Sequence, residues 1–402
     1  MARPRRLSYQ PPLDRNTLSQ RNDLLSFWAL FSISFTIRIF QINKLRTPIL
    51  NEYKYIQQLI NLSSHDPSRP IIGDLIIRTP IRFFTPPKYS APNTNATLSE
   101  IFPSYRFVKV ANVIISSFVP PLLAATLRLQ GYPLFVSTVS GFLIVFEFCN
   151  ILKARIICTD SLFNFFFALS IFLQAFKQFH ISTGFTIICS IIIALSSVID
   201  YSGFVLIAFI FVDYLFNKKK EYQYMFIFIS TCFLVHLVDL GIESYFIQNL
   251  NFTELISNKF QTLFCFECRR YPVYIFPLWK FIPQIVWKAE NQKICLMNHP
   301  IVTILSALFC TFGIFNRNSV YYFVSIYLIW FLKRPTNCSE YQVPFFFSVL
   351  AIAHFLRRFP MRNILSLIIL LVLIFFFAFW APWIYGLKLS PTLDATLDFW
   401  RK

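Results

Sequence analysis

Glycine is scarce in this 402-residue chain, at 8 positions, and charged side chains make up only 14% of it. Helix packing is thereby expected to rest more on large interlocking side chains than on small-residue contacts, and the charged surface that a soluble globular domain needs is excluded. Acids are outnumbered by bases, 19 to 37, giving a net charge of +18. The bases fall in short clusters between apolar runs, so no soluble basic domain exists to hold a nucleic acid duplex. His-Glu-x-x-His, Gly-x-Gly-x-x-Gly and phosphate-binding Gly-rich loop motifs are all absent, and His65, His180, His236, His299 and His354 show no ligand spacing. Zinc proteolysis, dinucleotide binding and nucleotide hydrolysis are set aside on those grounds. Acids within apolar runs are few, with Asp200, Asp213 and Asp239 at or near run ends, which argues against a proton-coupled transporter.

What the chain has in abundance is apolar length. Hydrophobic residues occupy 56% of positions, phenylalanine alone occurs 50 times, and mean hydropathy is +0.56. These values define a polytopic membrane protein whose helices interlock through large side chains. Runs long enough to span number about eleven, near 24–42, 107–128, 133–150, 160–178, 184–200, 202–217, 222–242, 300–316, 319–333, 343–356 and 363–385. The first follows a polar tail, residues 1–23, and is expected to act as a signal anchor.

Cytoplasmic loops retain Lys and Arg. Placing Arg3, Arg5 and Arg6, Lys218–Lys220, Arg317, and Arg357 with Arg358 and Arg362 on the cytoplasmic side puts segments 43–106 and 243–299 on the luminal side, with a luminal C-terminus. The Asn-x-Ser/Thr sequons headed by Asn61, Asn95, Asn251 and Asn337 then all face the lumen. Among nine cysteines only Cys265 and Cys268 have a ligand-like spacing, without a second pair, so a luminal disulfide with another loop cysteine or two free thiols is favoured over zinc. Segment 43–106 is too long for a connector and is read as an ordered re-entrant or surface-lying loop, at least in its first half.

Candidate chemistry lies at the luminal edge. Glu52, beside Asn51 and a short way past the first run, is either a general base toward a hydroxyl or a solvated loop acid. Asp74 follows Gly73 and precedes Arg78, and could hold a metal, a sugar hydroxyl or Arg78 itself. In Lys153-Ala154-Arg155-Ile156-Ile157-Cys158-Thr159-Asp160-Ser161, Arg155 suits phosphate binding through forked charge-assisted bonds, and Asp160 is a ligand-binding acid or a helix-start acid. Arg38, inside the first run, is a further candidate or an arginine that snorkels to the interface.

The segment Ala154–Leu162 resembles a Ser-Arg, apolar, Leu-Asp-Ser stretch of the dolichyl-phosphate-mannose protein O-mannosyltransferases, polytopic glycosyltransferases of the GT-C class. Phe376–Gly386, with Trp380, Pro382, Trp383 and Tyr385-Gly386, is similar to that family's last span. Leu195–Gly203, Phe276-Pro277-Leu278-Trp279 and Asn298-His299-Pro300 are shorter echoes in the same order. Two departures stand out: the family's Asp-Glu pair reads Asn51-Glu52, and its Asp before a His-Pro-Pro-like run reads Asp74-Leu75-Ile76-Ile77-Arg78. Segment 243–299 is also too short for the luminal MIR domain that many members carry.

The resemblance implies a single GT-C-like, all-α transmembrane domain over residues 1–402 in the endoplasmic reticulum membrane. It implies transfer of mannose from dolichyl phosphate mannose to Ser or Thr of secretory-pathway proteins, with inversion at the sugar carbon and with neither a cofactor nor a metal. Glu52, Asn51 and Asp74 would be the catalytic positions, and Arg155, Asp160 and Arg78 the substrate-binding ones. A homologous partner subunit is expected. Another dolichyl-phosphate-sugar mannosyltransferase, or a non-catalytic partner of an active homologue, are the alternatives.

Overall fold

The computed structural model describes residues 17–44, 52, 56, 70–84, 105–177, 179, 182–216, 222–246, 253–257, 284–289, 292–296, 298–313, 316–333 and 342–388. Asn51, the four sequon asparagines, Cys265, Cys268 and the basic clusters at residues 3–6 and 218–220 lie outside them.

The apolar runs are helical. α1 spans Thr17–Ile39, α2 Ile71–Phe84, α3 Tyr105–Ser117, α4 Val119–Leu129, α5 Leu134–Val145, α6 Phe148–Ala154, α7 Asp160–Lys177, α8 Thr183–Ile199, α9 Gly203–Phe216 and α10 Tyr222–Phe246. After these come α11 Pro300–Phe312, α12 Arg317–Lys333, α13 Gln342–Arg358 and α14 Arg362–Tyr385. Three described helices are long and apolar enough to cross a bilayer: Tyr105–Leu129 (α3 with α4), α10 and α14. Counting two bent pairs as single spans raises that to as many as five, and the other expected spans are helices below that length or apolarity.

Two expectations are refined. α1 begins at Thr17, not near residue 24, so the first helix includes part of the polar tail. The third run is not one straight helix: α5 and α6 meet at a 60° bend around Phe146 and Glu147. An acid in an apolar run explains it, because the Glu147 carboxylate turns aside to accept the His299 backbone N–H at 3.2 and 3.3 Å. The all-α fold class holds, with one small addition: β1 (Gln284–Ala289) and β2 (Gln292–Leu296) form an antiparallel hairpin packed on α14.

Local chemistry sets the helix ends. Ser182 Oγ accepts the Phe185 N–H at 3.2 Å and caps α8, and Pro300 supplies the donor-free first position of α11. Between α8 and α9, Asp200 Oδ1 accepts the Ser202 N–H at 2.8 Å. Gly203 is required there because a Cβ would sit 2.5 Å from Ser197 N.

One apolar core cluster runs through α4, α5, α7, α8, α9, α11, α12 and α13 and takes in Leu30, Phe228 and Leu373 from α1, α10 and α14, and separate clusters gather around Trp383 and around Val113. Aromatic rings carry much of it: Phe209 stacks on Tyr321 at 4.1 Å, and Phe167 meets Phe346 at 5.1 Å. Helix hydroxyls mostly bond back to carbonyls one turn earlier, as Thr126 does to Leu122 and Ser140 to Val136, which satisfies them where water is absent.

Candidate active site

The connection between α6 and α7, residues 155–159, is the point on which the candidate groups converge. α6 ends at Ala154 and Arg155 turns inward, fully buried. Its Nη1 donates to the Ile384 carbonyl at 3.0 Å and its Nη2 to the Gln41 carbonyl at 2.8 Å, while the Tyr385 ring lies 5.0 Å from the guanidinium carbon. One side chain thus joins the end of α1, the end of α14 and the connection. The Tyr385 hydroxyl adds a bond to the Ile37 carbonyl at 2.7 Å. Burial pulls the Arg155 guanidinium down to about 10, against the raising effect of Tyr385, so it stays cationic at neutral pH.

Asn112 on α3 fixes the middle of the connection, its Nδ2 donating to the Ile156 carbonyl at 2.9 Å. Glu52 approaches from the first loop. Its Oε1 accepts the Ile157 N–H at 2.8 Å and lies 3.6 Å from Lys109 Nζ, with both side chains at most 1% exposed. Two charges so fully removed from water are tolerated only as a pair. Lys109 belongs to α3, between Val108 and Val110 on a predominantly apolar helix of the kind where a buried ionisable group marks a site.

α2 reaches the same connection. A Cβ on Gly73 would fall 3.1 Å from Thr159 Cγ2 and 3.3 Å from Ile199 Cα, so glycine permits this close seat. Asp74, the next residue, is 2% exposed in the first turn of α2. The N-terminus of α2 is held from α10, where Asp239 Oδ1 accepts the Ile72 N–H at 3.3 Å. A carboxylate at a helix start is favourable both as a cap and for the helix dipole.

Lys153 Nζ and Asp160 Oδ1 close the connection from its two ends at 2.7 Å. Asp160 is the first residue of α7, a helix-start acid that also carries an ion pair. Arg38 does not snorkel: it is 1% exposed, bonded to Ser34 one turn earlier and, through Nη2, to the Ile144 carbonyl at 3.3 Å. The partners of Arg38 and Arg155 are carbonyl and hydroxyl oxygens, not carboxylates. Among the described residues, then, neither buried guanidinium has a carboxylate bonded to it, and the two set up a positive potential suited to an anion.

Of the residues singled out from the sequence, Glu52, Arg155 and Asp160 meet at this connection. Asp74 and Arg78 sit on the helix packed against it, with Arg78 half-buried. Lys109, Asn112, Glu147 and Tyr385 were missed as site residues. Lys109 carried a readable signal, as a lysine between Val108 and Val110 inside an expected span. Among the described residues no group of three or more His, Cys, Asp or Glu side chains could hold a metal ion.

This bundle is the polytopic GT-C fold. It superposes on the S. cerevisiae protein O-mannosyltransferase Pmt1–Pmt2 complex bound to the sugar donor, with TM-score 0.77 and 10% identity over 94% of this chain and 92% of that one. It also matches the Archaeoglobus fulgidus oligosaccharyltransferase in complex with zinc and sulfate, with TM-score 0.54 and 12% identity over 94% of this chain and 57% of that one. The apo form of that enzyme gives TM-score 0.55 and 11% identity over 94% and 60%. Among curated protein sequences none matches. The family model for dolichyl-phosphate-mannose-protein mannosyltransferase matches residues 26–256, more than half of the chain, and the chain belongs to that family.

Proposed function

We propose that this chain transfers mannose from dolichyl phosphate mannose to Ser and Thr hydroxyls of proteins at the luminal face of the endoplasmic reticulum membrane. The observation that carries the reading is the meeting of Glu52, Lys109 and Arg155 at the 155–159 connection, within the region matched by the family model.

In this mechanism the acceptor oxygen forms a bond to the mannose anomeric carbon as the bond from that carbon to the phosphate oxygen breaks. The electron pair leaves with dolichyl phosphate, the acceptor proton passes to Glu52, and the anomeric centre inverts. Charge builds on the leaving phosphate, and Arg155 with Arg38 supplies the fixed positive field there. That assigns the charge stabilisation to protein side chains, with no separate cofactor and no metal. Lys109 holds Glu52 in place, and the Lys153–Asp160 pair positions the connection. Asp74 and Arg78 are assigned to the sugar or the acceptor, on the helix seated against Thr159. With Asn51 where an acid was expected, Glu52 carries the base function alone.

A second reading is favoured by one observation: Glu52 already accepts the Ile157 N–H and is 2% exposed, as a structural acid would be. In that case the chain is a non-catalytic subunit paired with an active homologue, an arrangement supported by the two-subunit makeup of the yeast complex. Purified chain, alone and with a candidate partner, is assayed for mannose transfer from labelled dolichyl phosphate mannose to a Ser/Thr peptide. Transfer by the chain alone supports the enzyme, and transfer only with the partner, unaffected by Glu52→Gln in this chain, supports the subunit. A large gain with Asn51→Asp would mark the natural pair as impaired.

A further inference from the structure

At the end of the bundle opposite Arg155 lies a second site. α14 starts at Arg362 and finishes at Tyr385, 24 residues later, which at 1.5 Å per residue separates the two ends by about 35 Å. At the Arg362 end, where α11 finishes, α12 begins and α13 finishes, a cavity of about 440 Å³ opens.

Its wall has two chemistries. Arg317 and Arg358 supply cationic forks, and no carboxylate lines the cavity among the described residues. Asp213, outside that wall, pairs with Arg317 through Nη1 alone, at 3.4 Å, and also accepts the Tyr321 hydroxyl at 2.5 Å, so the other N–H groups of the Arg317 fork are not engaged by it. The other side is aromatic: Phe309 stacks on Phe355 at 4.3 Å, and Phe355 on Phe359 at 6.1 Å. Phe312, 76% exposed, continues this apolar wall out of the cavity. The site is positive at one side and apolar at the other.

We propose that this cavity binds the headgroup of an anionic phospholipid, with the phosphate on Arg317 and Arg358 and the start of the acyl chains along Phe309, Phe312 and Phe355. Arginine matches phosphate oxygens through paired charge-assisted bonds. Basic pockets between membrane helices on a negatively charged leaflet recruit acidic headgroups. A soluble phosphate would use the arginines but leave the aromatic wall without a partner. The volume admits a phosphate with its glycerol and the first chain atoms. The site takes no part in the transfer chemistry proposed for the other end of the bundle and stands whether or not that proposal does.

The test uses the full chain in detergent micelles and fluorescent phosphatidylserine, with phosphatidylcholine and glycerol phosphate as competitors. Phosphatidylserine is expected to bind at least about tenfold more tightly than either competitor. Arg358→Gln, at an exposed position, and separately Arg317→Gln are each expected to weaken it about tenfold, the worth of one charge-assisted contact. Equal binding of phosphatidylcholine overturns the proposal, as does unchanged affinity in a folded Arg358→Gln variant. Competition by glycerol phosphate at the same concentration as lipid also overturns it, in favour of a soluble phosphate site. The lipid preference of the unmodified chain decides the matter even if a variant fails to fold.

Discussion

Replacing Lys109 with methionine isolates the interaction on which the candidate site is built. The lysine and Glu52 are 3.6 Å apart and at most 1% exposed. At an effective dielectric of about 20 their Coulomb attraction is about 4–5 kcal/mol. Most of that only offsets the desolvation of two buried ions, so the pair's net contribution is small. Removing one partner is different, because the Glu52 charge stays buried while the Lys109 charge that faces it has gone. The expected loss is about 3–5 kcal/mol. Methionine matches the lysine stem in length and fills its space, so little of the loss comes from a cavity. The double variant Lys109→Met with Glu52→Gln removes both charges while keeping an acceptor for the Ile157 N–H, and should regain well over half of the loss. Stability is read from denaturant unfolding in mixed micelles, wild type and three variants side by side. Wild-type stability in Lys109→Met, or strictly additive losses in the double variant, would refute the pairing.

Other perturbations have definite expected outcomes. Gly73→Ala puts a methyl 3.1 Å from Thr159 Cγ2, lifting α2 and destabilising by about 1–3 kcal/mol, seen as faster amide exchange across Ile71–Phe84. Asp239→Ala removes the acceptor for the Ile72 N–H and should cost about 1 kcal/mol, with the exchange change concentrated in the first turn of α2. Trp383→Ala empties a fully buried position beside Trp380, whose ring centroid is 5.0 Å away, and should cost about 3–5 kcal/mol in unfolding.

Much of the architecture was legible because apolar length is a direct signal: nearly every expected run became a helix. The segment Leu195–Gly203 stood out only through its resemblance to the family, and the structure shows it as the turn in which Asp200 accepts the Ser202 N–H. The bend at Glu147 was not read, although the acid inside an apolar run was visible, because its partner is the His299 backbone far along the chain. β1 and β2 were missed because five- and six-residue runs such as Gln284–Ala289 carry little periodic signal inside a long polar segment. At the site, Arg155 and Glu52 were recognisable as residues. Their geometry was not, because it rests on carbonyls of Gln41 and Ile384 and on the Ile157 N–H, and backbone groups leave no trace in composition. Arg38 shows the same limit: near a helix end it reads as snorkelling, but Ser34 and the Ile144 carbonyl beside the bend give it a buried berth.

The central claim, that Glu52 takes the acceptor proton, is tested by mannose transfer from labelled dolichyl phosphate mannose to a Ser/Thr peptide, comparing wild type with Glu52→Gln. Glutamine retains an oxygen for the Ile157 N–H but is not a base; stranding the Lys109 charge costs about 3–5 kcal/mol, so folding of the variant is verified first, and the folded variant should lose at least about a hundredfold in rate. Equal transfer by a folded Glu52→Gln protein would contradict the account and leave Glu52 as a structural acid.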